Sequence, residues 1–526
     1  MTNKRTMKAM QESGFKRGVL HHALRYAMTG VSLILVGCAV GPDYKTPAAP
    51  TAQRYSPQAL PAQTAKADDP FGEAQKFDSQ QSIQADWWQV FHSTKLNTLI
   101  EQALKSNPSI AAAQAALKQA QEYVYAQNGF FYPSVGLSYA LSRQQLAGNV
   151  SSNAPGYQGN GGFVGPTYNN QPVTYTFHTA QLTVGYTPDV FGANRRQVES
   201  LQAQVDLQQD QLEAARITLV SNIVATALQE ASLRAQIAAT HAIIAENEHS
   251  LAILQRQFAV GYVMRLDVAA QESALAAAQQ LLPPLNKQLD QTRDLLRVLA
   301  GNTPDQDVNA VFVMSDFTLP TQLPLSLPAQ LILQRPDVRA AEAQMHAASA
   351  NVGVAVAARL PQFSIVGAYG GEATTFNQMF QSGGPFWSLV GNLTQPVFDG
   401  NTLLHRERAA DQALVQAAEQ YRGTVLIALQ NVADTLHALH ADADGLDAAV
   451  KFEQTAKISL DLTQKQKDTG LVNTLVVLTA EQAYQQATIG LVQARSQRLG
   501  DTAALYEALG GGWWNKNAAQ ADPAAE

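Results

Sequence analysis

Residues 107–139, "NPSIAAAQAALKQAQEYVYAQNGFFYPSVGLSY", return in altered form at 335–369 as "RPDVRAAEAQMHAASANVGVAVAARLPQFSIVGAY". Pro108 aligns with Pro336 and Pro133 with Pro361, both at an offset of 228 and without a gap. Further on, "DVFGANRR" parallels "PVFDGNTL", with Phe191 against Phe398 and Asn194 against Asn401 at an offset of 207. "VGYVMRLDVAAQE" then parallels "TGLVNTLVVLTAE". Gly261 meets Gly470, Leu266 meets Leu475, Glu272 meets Glu481 and Gly301 meets Gly510, all at 209. The first copy carries about twenty extra residues, mostly Gly, Asn and Ser, within 148–171, which accounts for the main change of offset. The chain is a tandem repeat of one unit.

Each unit reads helix, two strands, long helix, helix. After Pro133 the apolar period drops to two: Val135, Leu137, Tyr139 and Leu141 alternate with small or polar residues, the mark of a strand with one apolar face. Strands are expected over about 133–142 and 173–188, and again over 361–370 and 386–397. In the second of them the apolar residues change phase between Phe177 and Leu182, which predicts a bulge. Residues 194–258 and 401–468 predict long helices, with Val198, Val205, Leu212 and Leu219 recurring every seven, as do Val425, Val432, Leu439 and Leu446. Heptads imply coiled-coil packing. Shorter helices are expected at 95–129 and 265–300, and at 474–509 in the second copy.

The single cysteine, Cys38, follows a basic leader (Lys4, Arg5, Lys8, Lys16, Arg17, Arg25) and the apolar run 31–36. That order is the pattern of an export signal, and the run is too short to span a bilayer. "LVGC" resembles the lipobox of bacterial lipoproteins, in which the cysteine becomes a lipid-bearing N-terminus. Ala39 in the next place predicts sorting to the outer membrane. Loss of the leader takes six basic residues and one acidic residue, so the net charge of −7 becomes −12. So acidic an exported chain argues against nucleic acid as a partner. No later run approaches ~20 apolar residues, so any membrane crossing has to use β-strands.

Residues 39–85, rich in Pro, Ala and Gln, predict an extended, coreless tether. The expected organisation is a signal peptide at 1–37, a lipidated tether segment at 38–94 and the first repeat at 95–301. An insert at 302–328, the second repeat at 329–510 and a tail at 511–526 complete it. Four strands cannot close a barrel, since transmembrane barrels need about eight or more. An open edge in lipid leaves backbone groups unpaired. Several chains must therefore combine, each lending four strands, with small polar residues facing a lumen.

"LVGCAVGPDYKTP" (35–47), "DWWQVFHSTKLNTLIEQAL" (86–104), "LQRPDVRAAEAQ" (333–344) and the two Gly-centred turns together resemble the outer-membrane lipoprotein channels of tripartite efflux pumps, the TolC/OprM/NodT-like group. The resemblance covers essentially the whole mature chain. It implies an α+β, TolC-like homotrimer whose twelve strands form an outer-membrane barrel, continued by a periplasmic α-helical coiled-coil barrel. A mixed equatorial band would come from the tether, the 302–328 insert and the C-terminus. It implies a periplasmic membrane-fusion adaptor and an inner-membrane RND-type pump as partners, drug-like solutes as cargo, and no cofactor beyond a lipid on Cys38. A one-step protein-secretion duct and a pore-free periplasmic scaffold are the alternatives.

By the same resemblance the turns at Gly261 and Gly470 are the tunnel tips, where adaptor docking and closure of the aperture take place. The matching residues are Gly261, Arg265, Leu266 and Asp267, and Gly470, Asn473, Thr474 and Leu475. Relatives carry aspartates in the second tip where this chain has Val476 and Thr479. Asp267 and Asp468 are the nearby acids, and a bridge from Arg265 to either would help to hold the tips closed.

Other motifs carry less. "HALHADAD" sets His437 and His440 beside Asp434, Asp442 and Asp444, and reads as a solvated helix face more readily than as a metal site. "GYQGNGGFVG" (156–165) precedes no helix, so it is an external loop and no phosphate cradle. No nucleophile–base arrangement suggests an enzyme.

Overall fold

The computed structural model describes residues 39–48, 52, 54–146 and 172–515. The leader, Cys38, the 148–171 insert and the end of the tail lie outside the described residues. In chain order the elements are β1 (Lys76–Asp78), α1 (Thr94–Ser106), α2 (Pro108–Asn128), β2 (Ser134–Leu146), β3 (Val173–Tyr186), α3 (Ala193–Ala259), α4 (Arg265–Gln280) and α5 (Leu282–Leu299). Then follow β4 (Gln322–Pro324), α6 (Pro328–Gln334), α7 (Pro336–Ala357), β5 (Gln362–Ala373), β6 (Pro385–Thr394), α8 (Thr402–Asp468) and α9 (Thr474–Ala508). Two compact units divide the chain. One takes residues 39–45, 120–204 and 345–417; the other takes the remaining described residues.

The first unit holds an antiparallel sheet in the order β2-β3-β5-β6. Its register sets Leu137 opposite Leu182, Leu182 opposite Tyr369, and Tyr369 opposite Trp387. Because strand side chains alternate, Val135, Leu137, Tyr139, Leu141, Leu182, Val184, Ile365, Tyr369, Trp387, Leu389 and Leu393 share one face, and all are exposed. Ser138, Gln181, Ala368 and Ser388 share the other. The pairing of β2 with β3 runs unbroken from Ser134↔Gly185 to Leu146↔Val173, so the expected bulge is not there. Tyr175 and Phe177 instead point to the small polar face, opposite Gln144 and Ser142, and pack edge to face at 6.2 Å. A continuous hydrogen-bond ladder outweighs the face preference of two aromatic rings.

The second unit is built on the long helices. α3 and α8 are 67 residues each, ~100 Å at 1.5 Å per residue. Val205, Leu212 and Leu219 are buried, and the seven-residue spacing continues through Thr226, Leu233, Thr240, Asn247 and Leu254, all buried. In α8, Val425, Val432, Leu439 and Leu446 are buried likewise. The repeat shows in detail where the shorter helices end. Asn107, the residue before Pro108, donates through Nδ2 to Leu299 O at 2.9 Å; Arg335, before Pro336, donates through Nη1 to Ala508 O at 2.8 Å. Gly301 and Gly510 follow with φ of +83° and +91°.

Two of the expected helices need correction here. The helix expected over 95–129 breaks between Ser106 and Pro108, since the residue before a proline avoids the helical region; Asn107 is extended. That over 265–300 breaks at Leu281, because Pro283 and Pro284 lack the N–H groups that would continue it, whereas α9 has no proline and runs unbroken.

The tether is not coreless. β1 pairs with β4, and Thr64, Ala67, Phe71, Gln75 and Ile83 are buried. Gln75 Nε2 donates to Thr502 Oγ1 at 3.0 Å, Arg495 reaches Asp69 at 2.5 Å, and Arg498 Nη2 donates to Glu73 O at 2.7 Å. Trp87 stacks on Tyr506 with centroids 5.4 Å apart.

Nor is "HALHADAD" wholly solvated. Asp434, His437 and Asp444 are exposed, but half-buried His440 packs on Phe77 at 5.4 Å, and half-buried Asp442 faces Asp501. Burial, then the Asp501 carboxyl, pushes the Asp442 carboxyl up. Among the described residues no group of three His, Cys, Asp or Glu is placed to hold a metal.

Buried charge gives this unit a pH dependence. Asp210, 3% exposed, meets Arg339 at 3.1 Å. Burial nonetheless pushes its carboxyl up to about 6, from 3.8. The folded chain therefore holds an extra proton between those values, and the resulting stability is complete below 3.8 and lost as pH rises through 6. A shift of this size corresponds to ~3 kcal/mol. Asp210→Asn is expected to flatten the acid-side rise in Tm between pH 7 and pH 5. An unchanged slope in the variant would show that Asp210 does not set it.

Candidate functional site

Two turns close the long helices in the same way. Gly261 N–H donates to Phe258 O and Tyr262 N–H to Gln257 O, both at 2.9 Å; Gly470 N–H donates to Lys467 O and Leu471 N–H to Gln466 O, also at 2.9 Å. Both glycines are left-handed, with φ of +81° and +77°. A side chain at either would meet no atom within 4 Å, so backbone conformation alone selects glycine. Asp267 Oδ2 accepts the Met264 N–H at 3.0 Å and starts α4; Asn473 Oδ1 accepts the Val476 N–H at 3.2 Å and starts α9.

Arg265 has a different partner from the expected one. Its guanidinium forks onto Glu272 at 3.3 and 3.2 Å, seven residues or about two helical turns along the same helix. Asp267 is occupied by the cap, and Asp468, the last residue of α8, is exposed. No bridge from Arg265 to either acid is present among the described residues. With side chains 63% and 40% exposed, the Arg265–Glu272 pair contributes ~0–1 kcal/mol. Glu481, which matches Glu272 in the second copy, is buried. Burial pushes its carboxyl up, and nearby Glu246 adds to the effect while Lys467 offsets it.

The chemistry of these turns is apolar. Leu266 and Leu475, the matched pair picked out by the repeat, are 76% and 64% exposed. Tyr262, Met264 and Leu471 are exposed to a similar extent, and Val260 and Val476 stand open beside them. Thr474 is buried, as are Val268, Val477 and Leu478, which form the packed side of the same helical turns. The extra exposed residues had a signal in the sequence: an apolar residue directly after the capping glycine in both copies, Tyr262 and Leu471.

The sheet is a second candidate surface. Tyr139 Oη lies 2.9 Å from His178 Nδ1, and Phe376 meets both rings edge-on at one border of the apolar face. β2 and β6 each lack a second neighbour among the described residues. No described helix is long and apolar enough to cross a membrane.

The fold is that of known outer-membrane channels. The Campylobacter jejuni channel CmeC superposes with a TM-score of 0.79 at 20% identity, covering 91% of this chain and 96% of its own. For the channel OprN the figures are 0.76, 24%, 90% and 100%. Among sequences, the pyoverdine export outer membrane protein OpmQ of Pseudomonas putida is 29% identical over 434 residues, 81% of this chain and 88% of that one. Outer membrane protein OprJ of Pseudomonas aeruginosa is 25% identical over 490 residues, 92% and 95% of the two chains. The model of the outer membrane efflux protein family matches residues 99–302 and 327–511, one segment for each repeat. With both halves matched, the chain belongs to the outer membrane efflux protein family.

Proposed function

We propose that this protein is the exit duct of a tripartite efflux system. Three chains close a twelve-stranded barrel, with the apolar face toward lipid and the Ser138 face lining the lumen. The long helices form a periplasmic tunnel, with the tethers, the 302–328 inserts and the C-terminal segments as an equatorial band. The tips around Gly261 and Gly470 dock a periplasmic adaptor through Tyr262, Met264, Leu266, Leu471, Leu475 and Val476. The adaptor connects the duct to an inner-membrane RND-type pump. Cys38 carries the lipid, and the 148–171 insert lies outside the cell. Outer-membrane location follows from family membership.

The observation that carries this reading is the apolar face on a sheet whose two edges have no partner strand among the described residues. Such a face is stable only in lipid, and such edges are stable there only when closed by further copies. A pore-free scaffold has no use for either. The lining face is mostly small or uncharged, with Tyr175, Phe177 and Glu372 as its bulky and charged members, so the duct selects weakly and the pump chooses the cargo. Relatives named for pyoverdine, cation and toluene transport share this one fold family.

Purified protein in planar bilayers should give discrete, long-lived conductance steps, and the mass of its N-terminal peptide should include a diacylglyceryl group. Absence of any conductance would sink the duct.

A further inference from the structure

The residues that follow Cys38 are held in a built site of the first unit. Val40 N–H donates to Phe191 O at 3.1 Å. Arg196, with a side chain only 6% exposed, donates through Nε to Val40 O at 3.1 Å and through Nη2 to Gly41 O at 3.4 Å and Asp43 Oδ1 at 2.8 Å. Its Nη1 is fixed by Glu199 Oε2 at 2.8 Å. Glu199 Oε1 lies 3.1 Å from His346 Nε2, and the His346 ring stacks on Tyr44 with centroids 4.2 Å apart. Asp43, Arg196, Glu199, His346 and Tyr44 thus form one connected cluster.

Three glycines make room for it. A Cβ on Gly41 would fall 2.3 Å from Gly353 Cα, one on Gly353 2.8 Å from Val40 O, and one on Gly192 2.6 Å from Ala39 Cα. Backbone lies on backbone at each place, an approach that only glycine allows. Pairing with buried Arg196 is charge-assisted and directional, unlike the loose contacts of a tether.

We propose that Arg196, His346 and the Gly192 and Gly353 backbones form a receptor for this chain's own mature N-terminus, residues 39–44. The receptor fixes the lipid-bearing residue at the end of the transmembrane sheet. Ala39, the first described residue, lies against Gly192, where the chain passes from β3 to α3. The height matches the membrane. Phe191, whose carbonyl holds Val40, has its ring 6.5 Å from that of Phe363, and Phe363 pairs with Leu393 at the start of the apolar face. The acyl chains then enter the leaflet at the level where the apolar face begins, so the lipid sets the depth and rotational position of each subunit's sheet.

This inference rests on the lipidated, membrane-spanning reading of the chain, and the test separates the two. With Cys38 acylated, Lys45→Cys offers a single thiol for a nitroxide label in the full-length protein. The label should give an immobilised spectrum. That component should be lost when Asp43→Ala and Tyr44→Ala are added, which alter the docked segment and leave the body intact. Gly353→Val, which blocks the receptor from the other side, should do the same while trimer melting stays cooperative. A mobile spectrum in the otherwise native protein, or an immobilised one retained in the Asp43→Ala/Tyr44→Ala variant, would overturn the receptor. Mass spectra lacking an acyl group on Cys38, alongside an immobilised label, would overturn the lipid reading while leaving the docking in place.

Discussion

Leu137→Arg is expected to remove the protein from the outer membrane, whereas Ser138→Arg, one residue on, leaves it assembled. Leu137 is 82% exposed and faces the same side as Leu182, Tyr369 and Trp387. An arginine on the lipid face near the midplane of a barrel costs ~2–4 kcal/mol. In the proposed trimer the substitution occurs three times, so the total reaches ~6–12 kcal/mol, comparable with the whole stability of many domains. Ser138 pairs with Gln181 on the opposite face, where water hydrates the new charge and anions gain preference in conductance. Fractionation of membranes, with heat-modifiable mobility on gels, distinguishes the pair. Equal behaviour of the two variants would show that the sheet does not separate lipid from lumen.

A comparably large effect is expected at the tips. Leu266→Glu combined with Leu475→Glu should abolish efflux, with cells as drug-sensitive as a deletion strain, while single-channel conductance of the purified protein stays normal. Both leucines project from turns whose packed sides are made by Val268, Val477 and Leu478, so the body of the protein does not depend on them. Exposed apolar anchors of this kind carry ~2 kcal/mol or more each at an interface, and buried carboxylates add desolvation cost. Six sites per trimer multiply the loss. Retained efflux would show that the adaptor grips elsewhere. Arg265→Ala, by contrast, removes only an exposed pair with Glu272, and a small change in resting conductance is expected.

Much of this was legible in the sequence because the repeat supplies an internal comparison. Pro108 and Pro336, Gly261 and Gly470, and Leu266 and Leu475 each confirm one another, and alternation from Val135 to Leu141 assigns a face without any knowledge of partners. What could not be read depends on distant residues. Thr64 and Gln75 lie in a stretch whose composition looks disordered, yet they are buried against Arg498 and Thr502, more than 400 positions away. Arg265 had three acids within reach, and helical spacing toward Glu272 decided among them. Tyr175 and Phe177 obey the ladder of β2 rather than their own hydrophobicity.

The two sheet edges that lack a partner strand among the described residues would also govern how fast the proposed channel is made. A lone chain has no stable way to insert, because β2 and β6 would each leave a row of backbone groups bare in hydrocarbon. Insertion is then a collective step, and its rate rises with a high power of the local density of subunits. The lipid proposed for Cys38 would confine waiting subunits to a surface, turning a search through the volume of the periplasm into one over a plane and raising their effective concentration. On this view the acyl group acts mostly before the pore exists, as an assembly catalyst whose contribution fades once the last strand has closed the ring.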